Sequence, residues 1–355
     1  MPQLIEPANR GDYDLFTRIN EDTPVLLDGG LGRELRFRGV ELSETIWSAI
    51  ALLEAPEILQ QIHFDYIKAG ADVITTNTYG VIRTDLAKEG IEYRFAELNL
   101  LACKLAEEAR KQADSNTLIA GSLPPLRGSF RADLVGPFEE IEPLYREQAH
   151  ILSPHVDLLI CETMSSAKEG RAAAHAACST GKPVWVSWTL DEDYSGRLRS
   201  GETVQEAVKA LEDLPISGFL ANCCAPESIS SFLSQIKASE VQYRGGYANT
   251  FNPVPKTWTL GGEKETDGLL PLREDLSPES YVSHVARWLD LDANVIGGCC
   301  GTRRAADRPG GWISCGERCG SSSSSRRGGR RLRSLSPRAQ RGPCARSPWS
   351  ESSWI

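Results

Sequence analysis

The chain has 355 residues, of which 41% are hydrophobic, and its formal net charge is −9. That apolar content is enough for the core of one large barrel or of two ordinary domains, which excludes a fibrous or wholly disordered chain. No apolar run approaches the length of a membrane span, and the first residues lack the basic and apolar regions of a signal peptide. We therefore expect a cytoplasmic protein with no membrane partner.

Strand-like and helix-like segments alternate along the chain. The predicted strands cover, in order, 24–30, 72–78, 117–122, 156–163, 184–189, 218–222, 243–249 and 294–296. Helices are predicted over 56–69, 138–152, 167–179, 203–214, 226–238 and 277–289, together with a long helix that has one apolar face from Phe95 to Ala109. Eight successive β-then-α units favour a parallel (β/α)₈ TIM barrel over an open doubly wound sheet.

The end of the chain has a different composition. From Arg303 onward there are twelve arginines and three acidic residues, so the residues before Arg303 carry a formal net charge of about −18. Such an acidic body is a poor nucleic-acid binder, so we expect no nucleic-acid partner. The Arg/Ser-rich composition of 304–355 predicts a disordered tail in place of the final barrel helix, after a barrel domain over 1–303. One hypothesis is that the reading frame was lost just after Arg303. If the tail is real, the barrel lacks its closing helix, and part of the apolar surface near Val295 and Ile296 would stay exposed.

Three cysteines lie at the ends of predicted strands. Cys223 follows 218–222, and Cys299 and Cys300 follow 294–296, so all three can meet at one rim of a barrel. Neighbouring residues of a strand point to opposite faces, and two adjacent cysteines can hold one ion only if the backbone leaves the strand there. The flanking glycines, Gly297, Gly298 and Gly301, allow that departure.

Soft thiolates select zinc over hard cations, and three protein ligands leave a fourth position for water or substrate. The sequence therefore predicts a catalytic Zn²⁺ site. Two alternatives stay open, since cysteine is often only a small apolar core residue, as we interpret Cys103, Cys161 and Cys178, and since vicinal cysteines can form a strained disulfide. Cys224 is interpreted as a bystander.

Further polar residues end other predicted strands. In a parallel barrel the carboxyl ends of the strands carry the active site, which makes these residues catalytic or binding candidates. Taken singly, each could equally be a turn or cap residue. The set comprises Asp28, Asn77, Glu162 and Asn249.

Four motifs together resemble the zinc-dependent homocysteine S-methyltransferases: 26–32, Asn222-Cys223, 247–249 and 297–302. The resemblance implies an enzyme of methionine biosynthesis that moves a methyl group from a small donor onto the sulfur of L-homocysteine. It also implies roles for individual residues. Cys223, Cys299 and Cys300 would be the zinc ligands, Asp28, Gly29 and Glu162 would hold the amino-acid end of homocysteine, and Asn249 would touch metal or substrate.

The resemblance favours the branch that uses S-methylmethionine or S-adenosylmethionine over betaine. Trp47 or Trp188 could set an aromatic face against the positive charge of a sulfonium donor, although either could be a packing residue. A betaine-using enzyme and an isolated homocysteine module of a cobalamin-dependent methionine synthase stay open. So do a thiolate zinc or redox sensor without turnover and a nucleic-acid-associated protein with a vestigial barrel. The sequence leaves the oligomeric state open.

Overall fold

In the computed structural model, the described residues are 23–237, 240–259 and 270–302. The predicted tail over 304–355, its loss of frame, the missing final helix and the domain boundary at 303 all lie outside these residues.

Eight parallel strands form one sheet in the order β1-β8-β7-β6-β5-β4-β3-β2. Between the two ends of this order, a parallel bridge joins Leu27 to Val73, and the backbone N–H of Asp28 donates to Val73 O over 3.0 Å. These contacts close the sheet, which confirms the predicted (β/α)₈ barrel. The strands are β1 (Val25–Leu26), β2 (Val73–Thr75), β3 (Leu118–Leu123), β4 (Leu158–Met164), β5 (Val184–Trp188), β6 (Gly218–Asn222), β7 (Tyr243–Ala248) and β8 (Val295–Gly298).

Ten α-helices surround the described part of the barrel. Each predicted helix is present, although the one predicted over 203–214 gives way to turns before Pro215, and the one predicted over 226–238 ends at Leu233. The sequence did not predict α1, α2 or α4, which have seven, four and six residues. The helices are α1 (Leu31–Phe37), α2 (Ala51–Glu54), α3 (Pro56–Lys68), α4 (Arg83–Lys88), α5 (Phe95–Gln112), α6 (Phe138–Leu152), α7 (Ala167–Cys178), α8 (Val204–Lys209), α9 (Pro226–Leu233) and α10 (Pro278–Asp290).

The core has two layers, one inside the barrel and one between the strands and the helices. Val295 packs in the inner cluster with Val25 and Trp185, whereas Ile296 belongs to the outer cluster. Both residues are buried. Val295 and Ile296 themselves are not exposed, because alternate residues of β8 face the two core layers, whereas the closing helix on which the expectation of exposed apolar surface depended lies outside the described residues. None of the described helices combines the length and the apolar character that crossing a bilayer requires.

Candidate active site

A cavity of about 730 Å³ opens at the carboxyl ends of the strands. Most of the residues predicted to form the site line this one cavity. They are Asp28, Gly29, Trp47, Asn77, Glu162, Cys223, Cys299 and Cys300. The barrel thus brings together side chains that are far apart in the sequence, from Asp28 to Cys300.

The three predicted thiols form one cluster. The Sγ atoms of Cys223, Cys299 and Cys300 all lie within 4.8 Å of one another, and those of Cys223 and Cys300 are 3.8 Å apart. Three sulfur atoms at this spacing can bind one ion from three directions, so the donor set and its geometry fit a metal that prefers thiolates. Cys224 is buried outside this cluster, as expected of a bystander.

The strand β7 brings the two cysteine segments together, because it lies between β6 and β8. The N–H of Cys223 donates to Tyr247 O over 3.1 Å, and the N–H of Cys299 donates to Ala248 O over 2.9 Å. Cys223 has a φ of 50°, so the chain leaves its strand at the first thiol. Two successive carbonyl groups of one strand therefore set the distance between the thiols.

The glycines beside the cysteine doublet act in two different ways. Gly301 has a φ of 87°, and a Cβ atom there would collide with Thr250 Oγ1. Gly297 and Gly298 do not have positive φ values. Their lack of a side chain permits close approach instead, since a Cβ at Gly297 would lie 2.7 Å from Leu27 Cβ. The sequence-based expectation of special backbone conformations holds for Gly301 alone.

Two buried carboxylates stand beside the thiols. Asp28 accepts hydrogen bonds from Thr75 N over 2.8 Å and from Thr75 Oγ1 over 3.2 Å, and burial, with the nearby charge of Glu162, raises its pKa to about 7. Glu162 accepts from the hydroxyl groups of Ser122 and Tyr247, and burial raises its pKa to about 6. Desolvation penalises the charged form of both carboxylates, and a cation near them would offset that penalty.

Gly29 and Trp47 shape the wall next to these carboxylates. A Cβ at Gly29 would lie 2.9 Å from the hydroxyl oxygen of Tyr66, so only glycine fits there without displacing that ring. Trp47 has a φ of 49°. Its neighbour Ser48 donates to Asn77 Oδ1 over 2.7 Å, and Asn77 Nδ2 donates back to Ser48 O over 2.9 Å. The side chain of Asn77 therefore fixes the segment that carries Trp47.

Two other candidates lie away from the cavity lining. Trp188 is fully buried against Phe219 and Phe232, so the prediction that it could contact a donor is wrong; its ring faces the outer core. Asn249 is buried as well, and its Oδ1 accepts from Phe251 N over 3.2 Å. Among the described residues, Asn249 Nδ2 has no hydrogen-bond partner. Its contact with metal or substrate stays a prediction.

Sequence reasoning missed many residues of the cavity, among them aromatic residues in the loops that follow the strands. Tyr79 hydrogen-bonds Ser129 over 2.7 Å, and the rings of Phe130 and Trp258 meet edge to face at 5.5 Å. An aromatic residue in a loop gives no signal in the sequence that separates a cavity wall from ordinary packing.

Arg33 is a further missed residue, located in α1, a helix that the sequence did not predict. Its guanidinium lies 5.5 Å from the ring centroid of Phe251, and its charge acts on Cys300. Hydrogen bonds from Cys223 and Cys299, together with this guanidinium, hold the pKa of the Cys300 thiol below its ordinary value. The site thus places a cation beside a sulfur that a metal would bind as the thiolate.

The fold and the site together define a barrel enzyme with a thiol cluster and two buried carboxylates in one cavity. Residues 25–306 match the family model for homocysteine S-methyltransferase. The chain therefore belongs to the homocysteine S-methyltransferase family, whose members are methyltransferases.

Curated relatives agree with this assignment. The chain is 28% identical over 308 residues to the homocysteine S-methyltransferase of Escherichia coli strain K12, a match that covers 81% of this chain and 94% of the relative. It is 26% identical to the selenocysteine methyltransferase of Astragalus bisulcatus, with 78% and 88% covered. Among solved structures, the metallated form of the homocysteine methyltransferase MmuM from Escherichia coli matches with a TM-score of 0.65 and 26% identity, covering 81% of this chain and 94% of that one.

Proposed function

We propose that the protein transfers a methyl group from a sulfonium donor, S-methylmethionine or S-adenosylmethionine, to the sulfur of L-homocysteine in a zinc-dependent reaction that forms methionine. The observation that carries this proposal is the arrangement in one cavity of three thiols within 4.8 Å of one another and the two buried carboxylates of Asp28 and Glu162. This cavity offers separate places for the sulfur and for the ammonium group of homocysteine.

Zinc is the metal that the donor set fits best, and Cys223, Cys299 and Cys300 would hold it. A closed structural zinc site usually has four protein ligands, whereas the described residues supply three here. A substrate thiol can take the remaining position. Bound zinc would supply a thiolate at neutral pH, because coordination lowers the pKa of a thiol from about 8.5.

The chain's own residues bind and orient the acceptor. Asp28 and Glu162 would accept hydrogen bonds from its α-ammonium group, while Thr75, Ser122 and Tyr247 hold those carboxylates in place. The positive charge of the ammonium group would stabilise both carboxylates in their ionised form. Binding at this end directs the thiol of homocysteine toward the cysteine cluster.

The transfer itself needs no acid or base from the protein. The sulfur of homocysteine forms a bond to the methyl carbon, and the bond between that carbon and the donor sulfur breaks, leaving its electron pair on a neutral thioether. The five histidines agree with this chemistry, since none of them lines the cavity. The aromatic wall, which includes Trp47, Phe130 and Trp258, would exclude water and favour a cationic donor by contact with ring faces.

The test is methionine formation by the reduced, zinc-loaded full chain. Homocysteine is offered with S-methylmethionine, S-adenosylmethionine and betaine side by side, and product is measured by mass spectrometry. We expect turnover with a sulfonium donor and loss of turnover on chelation. Selenocysteine belongs in the assay as a second acceptor, because the Astragalus relative is named for it.

A matched pair of variants makes this test specific. Cys299→Ala removes a thiol of the cluster, whereas Cys224→Ala removes a buried thiol outside it. We expect Cys299→Ala to abolish activity and Cys224→Ala to retain it. Turnover with betaine alone would contradict the proposed donor, and zinc binding without turnover on any donor would favour a sensor.

A further inference from the structure

We propose that Arg199 is a positioning residue for the methyl-donor side of the cavity, a role that rests on the proposed function. Arg199 lies in the loop between β5 and α8, and its side chain is only 1% exposed. It does not line the cavity. Any effect on the reaction must therefore pass through the residues that its guanidinium contacts.

The first of these contacts is the ring of Phe130, in the loop after β3. The guanidinium carbon of Arg199 lies 4.9 Å from the centroid of that ring. Phe130 lines the cavity and Arg199 does not, so the ring connects the guanidinium to the cavity wall. Phe130 has a φ of 66°, a conformation that a bulky residue adopts only when its surroundings impose it. Arg199 on one side and Trp258 at 5.5 Å supply those surroundings.

The second contact is to the loop after β7. Arg199 Nη1 donates to Val254 O over 2.8 Å, while its Nη2 donates to Glu192 Oε1 over 2.9 Å. An ion pair between Lys256 and Asp191 joins the same two loops nearby. Val254 packs in a cluster with Phe130 and Cys223. Arg199 thus links the loops after β3, β5 and β7 above the thiol cluster.

We expect these loops to affect binding of the methyl donor rather than binding of homocysteine. The groups proposed for homocysteine, Asp28 and Glu162, are held by Thr75, Ser122 and Tyr247, and Arg199 touches none of those partners. Arg199 instead positions an uncharged aromatic wall. A sulfonium compound gains from contact with such ring faces, and this gain depends on where the rings stand.

If Arg199 only stabilised the fold, replacing it would lower the stability without a selective effect on the donor KM. Arg244 provides the comparison. Arg244 is also buried, at the amino end of β7 and away from the cavity, where it donates to the carbonyl groups of Ile236, Leu291 and Asp292. Replacing either arginine leaves carbonyl groups without a donor, which lowers stability. Only the replacement of Arg199 should raise the KM for the methyl donor selectively.

The experiment measures kcat and KM for each substrate with the zinc-loaded full chain and S-methylmethionine. Arg199→Met should raise the donor KM about tenfold, while the homocysteine KM and the zinc content change less than about twofold. Arg199→Lys keeps the charge but loses the planar pair of donors, so we expect an intermediate donor KM. Arg244→Met should lower the melting temperature without this selectivity.

Further variants keep the test decisive if Arg199→Met does not fold. Arg199→Met combined with Glu192→Gln removes both charges of this ion pair, and Phe130→Leu removes the ring while leaving the hydrogen bonds of Arg199 in place. Each should raise the donor KM selectively, and Arg199→Met should raise the donor KM by a smaller factor in the Phe130→Leu background because the two residues act together.

Equal changes in both KM values, or an unchanged donor KM in these folded variants, would overturn the role of Arg199. A wild-type chain that makes no methionine from any donor would overturn the proposed function itself, and with it this role.

Discussion

The backbone N–H of Thr163 donates to Asn222 Oδ1 over 2.8 Å, and Asn222 Nδ2 returns a hydrogen bond of 2.9 Å to Thr163 Oγ1. This reciprocal pair joins the end of β4 to the end of β6. Thr163 follows Glu162 and Asn222 precedes Cys223. One buried amide therefore couples the carboxylate proposed for homocysteine to the first of the three clustered thiols.

Asn222→Ala should consequently reduce both stability and zinc affinity. It leaves the N–H of Thr163 and the hydroxyl of Ser187 without their acceptor in a buried site, so we expect a loss of about 2–4 kcal/mol in the free energy of unfolding. Urea denaturation and competition with a zinc chelator measure the two effects. Asn222→Asp, which keeps the acceptor oxygen, should lose less stability; equal losses would show that the acceptor does not matter.

Gly301→Ala should weaken zinc binding through the backbone. A Cβ at Gly301, with a φ of 87°, would collide with Thr250 Oγ1, and Thr250 N donates to Cys300 O over 3.0 Å. Gly39 is the matched control, since its φ is 85° and a Cβ there meets nothing within 4 Å. Both variants should lose about 1–2 kcal/mol from backbone strain. Only Gly301→Ala should lower zinc affinity, as measured by chelator competition, and a loss in both would refute this effect of Gly301.

Glu162→Gln should impair homocysteine binding more than donor binding. The amide that replaces the carboxylate keeps a similar shape but removes the negative charge that would attract the α-ammonium group. We expect the homocysteine KM to rise by at least about tenfold, with a smaller change in the donor KM. Steady-state kinetics with each substrate varied in turn measures this. Tyr247→Phe, which removes one donor to Glu162 while keeping the charge, should have a weaker effect in the same direction.

His63 should make the fold sensitive to acid. It is completely buried in α3, neither ring nitrogen has a hydrogen-bond partner among the described residues, and burial lowers its pKa to about 4 from 6.5. The neutral ring is therefore favoured in the folded state. The stability it contributes is present above pH 6.5 and is lost as the pH falls through 4.

His63→Leu should abolish this loss. Relative to the variant, the wild type should lose up to about 3 kcal/mol in its free energy of unfolding between about pH 7 and pH 4. Urea denaturation across this range measures the difference, and His155→Leu, at a half-buried histidine, serves as the control. A constant difference between wild type and His63→Leu would show that His63 does not titrate in this range.

Much of the barrel could be predicted because its signals are local. Apolar runs such as 156–163 and 243–249 predict strands, and the residue that follows each run must lie at the same rim. The same rule is enough to predict that the three thiols meet, because each cysteine segment follows a predicted strand. It also places Asp28 and Glu162 at the rim, since both end predicted strands.

What the sequence could not predict depends on contacts between distant segments. Asn77 lies at a strand end, but its side chain is turned to Ser48, 29 positions away. Trp188 also lies at a strand end, and its ring faces the helices rather than the cavity. Arg199 belongs to no recognisable motif. Its contacts with Phe130 and Val254 form only when the fold brings these segments together.

X-ray absorption at the zinc edge, together with the metal content of the reduced full-length protein, is the sharpest test of the proposed metal centre. We expect about one zinc ion per chain, coordinated by three protein sulfur atoms, with a fourth sulfur joining when homocysteine is added. In Cys300→Ser the number of protein sulfur ligands should fall. A protein that binds no stoichiometric zinc, or a shell of nitrogen and oxygen that homocysteine leaves unchanged, would contradict zinc-dependent methyl transfer at these cysteines.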